Sequence, residues 1–199
     1  MELSHISLRL IKKFQDLLKE NKIDEFFDAI EHWERECTPE LFKYMYENIP
    51  DFLTYITIFP WNCLNTIRTS YEYDIIKAPS NIDSVVSRAF SYAQVGTLDL
   101  SESSITTLSE SCFNRSSFDE LILPNKLSLI DYNCFSYCYT KKPIIIPSSV
   151  RYICEDAFLY GFSNRSTVVD IMCKEQDTNI VNMLQKCKEW CPAINIIVV

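Results

Sequence analysis

The chain has 199 residues, 47% hydrophobic and 23% charged, which is the composition of a folded globular protein. It contains two glycines, and this excludes glycine-rich phosphate loops and dinucleotide-binding turns, because each needs several residues without a Cβ. The formal net charge of −8 disfavours direct binding to nucleic acid, because the phosphates would be repelled.

The start of the chain and the cysteines predict a cytoplasmic protein. Residues 1–10 lack the basic segment and the apolar run of a secretory signal, and no run approaches the ~18 apolar residues of a membrane span. The nine cysteines are expected to be free thiols that pack in the core, because their spacings are not those of zinc sites. We therefore expect no cofactor, no metal and no membrane contact.

Residues 3–50 predict three amphipathic helices that cap whatever follows them. Leu10 and Phe14 share one face of the first helix. Thr38 and Pro39 are an N-cap residue and a first-turn proline, so they mark the start of the third helix.

The second helix carries a candidate acidic face, made of Asp24, Asp28 and Glu31. Such a row of like charges is most simply a solvated helix face. It could also imitate the phosphates of a nucleic acid and occupy a basic groove on a partner, such as a nuclease.

Phenylalanine recurs at a regular spacing in the second half of the chain. Phe90, Phe113, Phe135 and Phe158 lie 23, 22 and 23 residues apart. A small residue precedes each of them, and apolar residues stand five and eight positions before each. A period of this length predicts a solenoid whose stacked units bury one continuous core, with the phenylalanine rings in a single stack.

Each unit begins with a short segment in which apolar residues alternate with others. These inward pairs are Ile76/Ala78, Leu98/Leu100, Leu121/Leu123 and Ile144/Ile146. Eleven residues before the phenylalanine stands a proline in three units and Glu102 in the second, which has one extra residue. The pattern predicts a strand ended by a turn and an irregular or 3₁₀ return to the next strand.

Two of these units, residues 121–138 and 144–158, resemble the BspA-type leucine-rich repeat, in which a strand and a proline precede a V-x-x-I-x-x-x-A-F core. The resemblance covers residues 53–199, including a degenerate unit around Ile56, Phe59 and Leu64. It implies a solenoid and a binding role. Proteins of this family occur in surface adhesins and, without export signals, in phages.

The chain is therefore predicted to be an α+β protein, a leucine-rich-repeat solenoid of short parallel strands. A three-helix N-terminal cap is expected over residues 1–52, repeats over 53–166, and a helix–strand cap over 167–199. Within the last unit we expect a strand at Val169 and Ile171, a helix over Asn179–Trp190, and a closing strand over Ile194–Val199.

Alternation along the predicted strands points two isoleucines outward, Ile122 and Ile145. Lys77, Asp99 and Asp170 are expected to be their neighbours along the same stripe. Exposed apolar residues flanked by charges resemble the core and rim of a protein interface. The alternative is that another element of the chain covers them.

A second candidate column lies two positions after each phenylalanine and comprises Tyr92, Arg115, Tyr137 and Tyr160. Tyrosine and arginine are favoured at interface hot spots. Stacked tyrosines could equally protect the edge of the repeats.

The predicted function is that of a non-enzymatic module that binds another protein through its strand face. The sequence shows no convergent nucleophile, base and oxyanion donor, so no catalytic residue is assigned. The resemblance suggests a phage-encoded protein that binds and antagonises a host factor. A nucleic-acid mimic that acts through the acidic face and a structural virion component remain alternatives, and the oligomeric state stays open.

Overall fold

The computed structural model describes residues 5–20, 22, 25, 37–56, 58–60, 63, 75–159 and 169–199. The elements in chain order are α1 (His5–Lys19), α2 (Pro39–Asn48), a 3₁₀ turn (Phe52–Tyr55), β1 (Ile58–Phe59), β2 (Ile75–Lys77), β3 (Ser84–Val85), β4 (Gln94–Asp99), β5 (Thr107–Leu108), β6 (Ser117–Ile122), β7 (Leu129–Ile130), β8 (Tyr139–Thr140), β9 (Ile144–Ile145), β10 (Tyr152–Ile153), β11 (Val169–Cys173), α3 (Thr178–Trp190) and β12 (Ile194–Val198).

One side of the solenoid is built from parallel strands of successive units, and we call it the strand face. The order β2-β4-β6-β8 continues into β9-β11-β12, with β6 lying against both β8 and β9. These strands pair in parallel, as a coil that returns to the same side in each turn requires. The predicted solenoid of parallel strands is confirmed.

The segments that lead from one strand of the strand face to the next also contain short strands, which the sequence did not predict. Strands β1 and β3 form one parallel ladder, and β5, β7 and β10 form another, with two residues per strand. Their second residues, such as Leu108 and Ile130, are the buried apolar residues five positions before each phenylalanine. The return is extended because its backbone pairs with the same segment of the neighbouring coil.

The four repeat phenylalanines form the predicted stack, which we call the phenylalanine ladder. All four rings are fully buried, with centroids 5.3 Å apart for Phe90 and Phe113, 5.3 Å for Phe113 and Phe135, and 5.0 Å for Phe135 and Phe158. Adjacent planes are inclined by 9–18°, so the rings lie nearly parallel. The ladder continues the core from one unit to the next.

Left-handed turns without glycine close the coils of Phe90, Phe113 and Phe135. Two columns have positive φ, namely Arg88, Ser111 and Asn133, and then Tyr92, Arg115 and Tyr137. A non-glycine residue in this region costs about 1–2 kcal/mol. Backbone bonds to the next coil stabilise the turns, for example from the Arg88 amide to the Glu110 carbonyl (3.1 Å) and from the Arg115 amide to the Ser136 carbonyl (2.9 Å).

Helix α2 caps the first described coil. The Thr38 hydroxyl accepts a bond from the Leu41 amide at 3.2 Å, which confirms the predicted N-cap. Phe42 packs against Phe52 (5.4 Å between centroids) and against Phe59 (6.3 Å). The core of the solenoid is therefore continuous with that of the cap. The predicted second helix, with Asp24, Asp28 and Glu31, lies outside the described residues.

The degenerate first unit pairs with the second unit in the register that the repeat spacing predicts. Phe59 lies beside Val85 in the parallel pair of β1 and β3, which places it in the column five positions before the repeat phenylalanine. Leu64, which would occupy the phenylalanine column itself, lies outside the described residues.

At the other end, β11, α3 and β12 form the predicted helix–strand cap. The buried face of α3 carries Ile180, Leu184 and Cys187, which cover the end of the core. Among the described helices, none has the combination of length and apolarity that a bilayer crossing needs.

Candidate functional site: the strand face

The register of the strands aligns one outward-facing residue per coil into a column. Lys77 lies beside Asp99, and Asp99 beside Ile122. Further along, Ile145 lies beside Met172, and Met172 beside Ile197. The two runs meet where β6 lies against β9, and together they form the outward column, which comprises Lys77, Asp99, Ile122, Ile145, Met172 and Ile197.

The prediction that Asp170 belongs to this column is wrong by two positions. Asp170 pairs with Asn195, whose side-chain amide donates to its carboxylate at 2.9 Å, and the residue beside Ile145 is Met172. In this register Cys173 aligns with Ile146, so Lys174 stands where the preceding unit has Pro147. Without that proline, the sequence offers no marker for the end of β11.

The second unit shows a related displacement of one residue. Counting back from Phe113 places Glu102 in the proline column, whereas the pairing of Asp99 with Ile122 aligns Ser101 with Pro124. The Ser101 amide donates to the Asp99 carboxylate at 2.9 Å, and this local turn ends the strand where other units use proline.

The N-terminal part of the column is charged, and its lysine is paired. The Lys77 ammonium donates to the Glu102 carboxylate at 2.8 Å, and this hydrogen bond raises the pKa of Lys77 from its ordinary value. Both side chains are half exposed or more, so water screens the pair. This part of the face resembles an ordinary solvated surface.

The C-terminal part of the column is apolar. Ile122, Met172 and Ile197 are partly exposed, and Ile145 is 62% exposed. Val199, 64% exposed, lies with Ile145 and Met172 along a groove of about 390 Å³. We call these five residues the apolar patch. No described element covers Ile145, so the structure favours the exposed alternative for this residue.

The rim of the patch is polar. Asn125, Ser148, Ser149 and Lys174 line the same groove, and Lys174 is the one charged residue among its described lining. An exposed apolar centre with a polar border is the arrangement found at protein interfaces.

The tyrosine–arginine column lies at the opposite end of the strands. Arg115 stacks over the ring of Tyr137 at 4.8 Å and over that of Tyr92 at 5.9 Å. These residues precede their strands by two positions, so Tyr92 and Asp99 are separated by seven residues, or about 23 Å of extended chain. The two candidate columns therefore do not form one site, and Tyr160 lies outside the described residues.

The stacking in this column occupies faces of the aromatic rings. Cation–π contacts of this kind are worth about 0.5–1 kcal/mol at exposed sites. The geometry therefore fits the protective interpretation of the column better than that of a vacant hot spot.

The described cysteines are free thiols in packed positions. Cys112 and Cys134 belong to the small-residue column before the phenylalanine ladder, and both are fully buried. Burial raises the pKa of Cys138 to about 12 and that of Cys187 to about 12, so both stay protonated at neutral pH and are poor nucleophiles. Within the described ranges, no three His, Cys, Asp or Glu residues are grouped as metal ligands would be.

Sequence reasoning missed three members of the apolar patch, namely Met172, Ile197 and Val199. No local sequence signal marks them, because their place depends on the register of β11. Once Ile171 is aligned with Ile144, alternation places Met172 beside Ile145.

Comparison with known proteins agrees with this geometry. No curated protein and no solved structure matches the chain. The family model described as "BspA type Leucine rich repeat region" matches residues 47–187 in six copies, more than the four units predicted with, at most, a degenerate fifth. The match extends beyond both expected repeat boundaries, at 53 and 166. Since it spans more than half of the chain, the protein belongs to the BspA-type leucine-rich repeat family.

Proposed function

We propose that this protein is a non-enzymatic module that binds another protein through the apolar patch of its strand face. The observation that carries the proposal is Ile145, which is 62% exposed, lies beside Met172 in the pair of β9 and β11, and stands on a strand packed against β6, the strand of Ile122. Leucine-rich repeat solenoids present extended surfaces of this kind to their partners.

Desolvation supplies the driving force at such a patch. Burying an isoleucine side chain fully stabilises a complex by about 1.5–3 kcal/mol, so a few residues suffice for specific recognition once the rim is satisfied. The net charge of −8 and the single lysine of the groove lining support a protein partner over a nucleic acid.

The matched variants are Ile145→Asp and Ile75→Asp. Ile75 is 63% exposed on β2, at the far end of the strand face and outside the patch, so the two changes introduce the same charge at nearly equal exposure. Affinity purification followed by mass spectrometry identifies the partner, and titration calorimetry measures its affinity for each variant.

Ile145→Asp is expected to weaken binding at least tenfold, because a carboxylate would be desolvated against an apolar surface, whereas Ile75→Asp leaves the affinity within about twofold. Ile122→Asp should behave like Ile145→Asp. Equal affinities for wild type and Ile145→Asp would contradict the proposal.

The finer proposal is that the partner is a host factor and that a virus encodes this protein to antagonise it inside the host cell. Its support is the resemblance to signal-less repeat proteins of phages. Expression of the wild-type protein in a bacterial host that restricts phage growth should raise the plating efficiency of the restricted phage. Expression of Ile145→Asp should not raise it. An unchanged plating efficiency with wild-type protein would refute the antagonist role and leave protein binding intact.

The acidic-mimic alternative predicts a different salt dependence. Binding through Asp24, Asp28 and Glu31 would weaken steeply with salt and disappear on Asp28→Lys, whereas binding through the apolar patch tolerates salt. Mass spectrometry of purified virus particles tests the third possibility, a virion component.

A further inference from the structure

The last strand, β12, leaves one edge of the sheet open. It pairs with β11 on one side, and no described strand pairs with its other side. We propose that two copies of this chain associate through this edge, by antiparallel pairing of β12 with β12 around a two-fold axis at Ile196.

Backbone geometry identifies the groups that face the open edge. The Val199 amide donates to the Cys173 carbonyl at 3.0 Å, and the Val199 carbonyl accepts from the Glu175 amide at 2.8 Å. The backbone amide and carbonyl of Val199 therefore point towards β11. Because these groups alternate along a strand, those of Ile197 and Asn195 point towards β11 as well. The amide and carbonyl groups of Ile196 and Val198 point to the opposite, unpaired side.

This edge is complementary to itself. With Ile196 opposite Ile196 of the second copy, the two residues exchange both backbone hydrogen bonds, and the Val198 amide of each copy reaches the Ile194 carbonyl of the other. Strands in neighbouring sheet positions lie about 4.8 Å apart, so the pairing joins the two strand faces into one sheet.

The edge lacks the features that usually prevent such pairing. Residues 192–199 contain no charged side chain, and β12 contains no proline. The chain as a whole carries −8, so two copies repel each other over much of their surface. At this edge an identical partner meets no side chain of like charge.

Side chains on both faces of β12 gain from the association. Ile196 packs partly against the core, and Val198 is 44% exposed beside it on the same face. In the antiparallel arrangement Val198 lies opposite Ile194 of the other copy, while Ile197 lies opposite Asn195 on the outer face. The pairing is isologous and closes at two copies, because each copy uses the same edge.

The test is the molar mass in solution, measured by light scattering and sedimentation from about 10 µM to about 1 mM. The wild-type chain should move from 23.3 kDa towards twice that mass as its concentration rises. Amide hydrogen exchange at Ile196 and Val198 should slow over the same range. A mass of one chain throughout, or open-ended growth beyond two chains, would overturn the proposal.

Two variants remove the edge without touching the bonds to β11. Val198→Pro deletes an amide that faces the open side, and Val198→Lys adds a charge at a 44% exposed position. Both should weaken dimerisation at least tenfold, while Ile75→Lys, at the far end of the strand face, should not. Circular dichroism verifies that each variant is folded, and a variant that is folded yet dimerises normally would contradict the assignment of the edge.

The two proposals can be tested separately, although Ile197 and Val199 of the apolar patch lie on or beside β12. Ile145 lies on β9, two strands from the open edge, so Ile145→Asp should weaken partner binding at least tenfold and leave the dimer unchanged. A protein that dimerises but binds no partner, or the reverse, shows which of the two proposals has failed.

Discussion

The interior of the solenoid and its strand face differ in how strictly they repeat. Inside, the same residue type recurs in each unit, as in the phenylalanine ladder with its ring spacings of 5.0–5.3 Å. Outside, the outward column changes from Lys77 and Asp99 to Ile122 and Ile145 over four coils. One side of each strand is uniform, and the other changes character along the molecule.

The difference shows what each side must satisfy. Interior side chains fill a space of fixed volume between identical neighbours, so one shape recurs. Outward side chains have no such neighbour in the coil, so a run of exposed isoleucines is not explained by folding. The apolar patch is therefore a candidate site, and four changes to the protein or its conditions test this difference between interior and strand face.

The largest effect is expected from truncating a ring inside the ladder. Phe113→Ala should lower the free energy of unfolding by about 3–5 kcal/mol, because Phe113 is fully buried and stacks on Phe90 and Phe135. Urea denaturation measures the change, and Phe113→Leu, which retains most of the volume, should cost much less. A loss below about 1 kcal/mol for the alanine variant would show that the ladder is not the core.

Alkaline pH should also weaken the interior. Burial raises the pKa values of Cys138 and Cys187 from 9.0 to about 12. Below pH 9.0 both thiols are protonated in the folded and unfolded states. Between 9.0 and about 12 the unfolded state loses these protons while the folded state retains them, so stability falls as pH rises.

The expected slope is about 1.4 kcal/mol per pH unit for each thiol above 9.0. Urea midpoints at neutral pH and at about pH 10 measure it. Cys138→Ala, which places in this column the residue that stands at Ala93, should reduce the loss. The same pH dependence in both proteins would show that Cys138 does not contribute.

A buried hydroxyl offers a gain in stability. Thr140 is buried in line with Phe118 and Val95 of the preceding coils, and its Oγ1 has no hydrogen-bond partner among the described residues. Thr140→Val should raise the free energy of unfolding by about 1–3 kcal/mol, because the unsatisfied hydroxyl is removed at nearly constant volume. Thr97→Val, on the partly exposed outer side of β4, serves as the control, and no gain at Thr140 would indicate a satisfied hydroxyl.

The smallest effect on stability is expected on the strand face. Ile145→Asp should change the free energy of unfolding by about 0.5 kcal/mol or less, because Ile145 is largely exposed. The same variant is expected to lose partner binding. Thermal melting beside the affinity measurement separates the two, and a large loss of stability would mean that Ile145 supports the fold.

Much of the fold was predictable from the recurrence of a few residues. The spacing of Phe90, Phe113, Phe135 and Phe158 predicts the ladder, and the alternation around Ile145 predicts its outward direction, because both depend on local periodicity. The placement of Asp170 was not correct, because nothing in the local sequence marks the end of β11. The acidic face of the second helix and Tyr160 stay predictions.

The sequence by itself determined that the chain coils and which side chains point inward, because a repeating pattern of burial can be satisfied only by stacking equivalent units. Only the tertiary structure decided which outward residues are neighbours. That depends on the register between strands far apart in the chain, set by backbone hydrogen bonds such as those that place Met172 between Ile145 and Ile197. These bonds form between peptide groups, which are the same in every residue except proline, so residue types alone do not specify their partners.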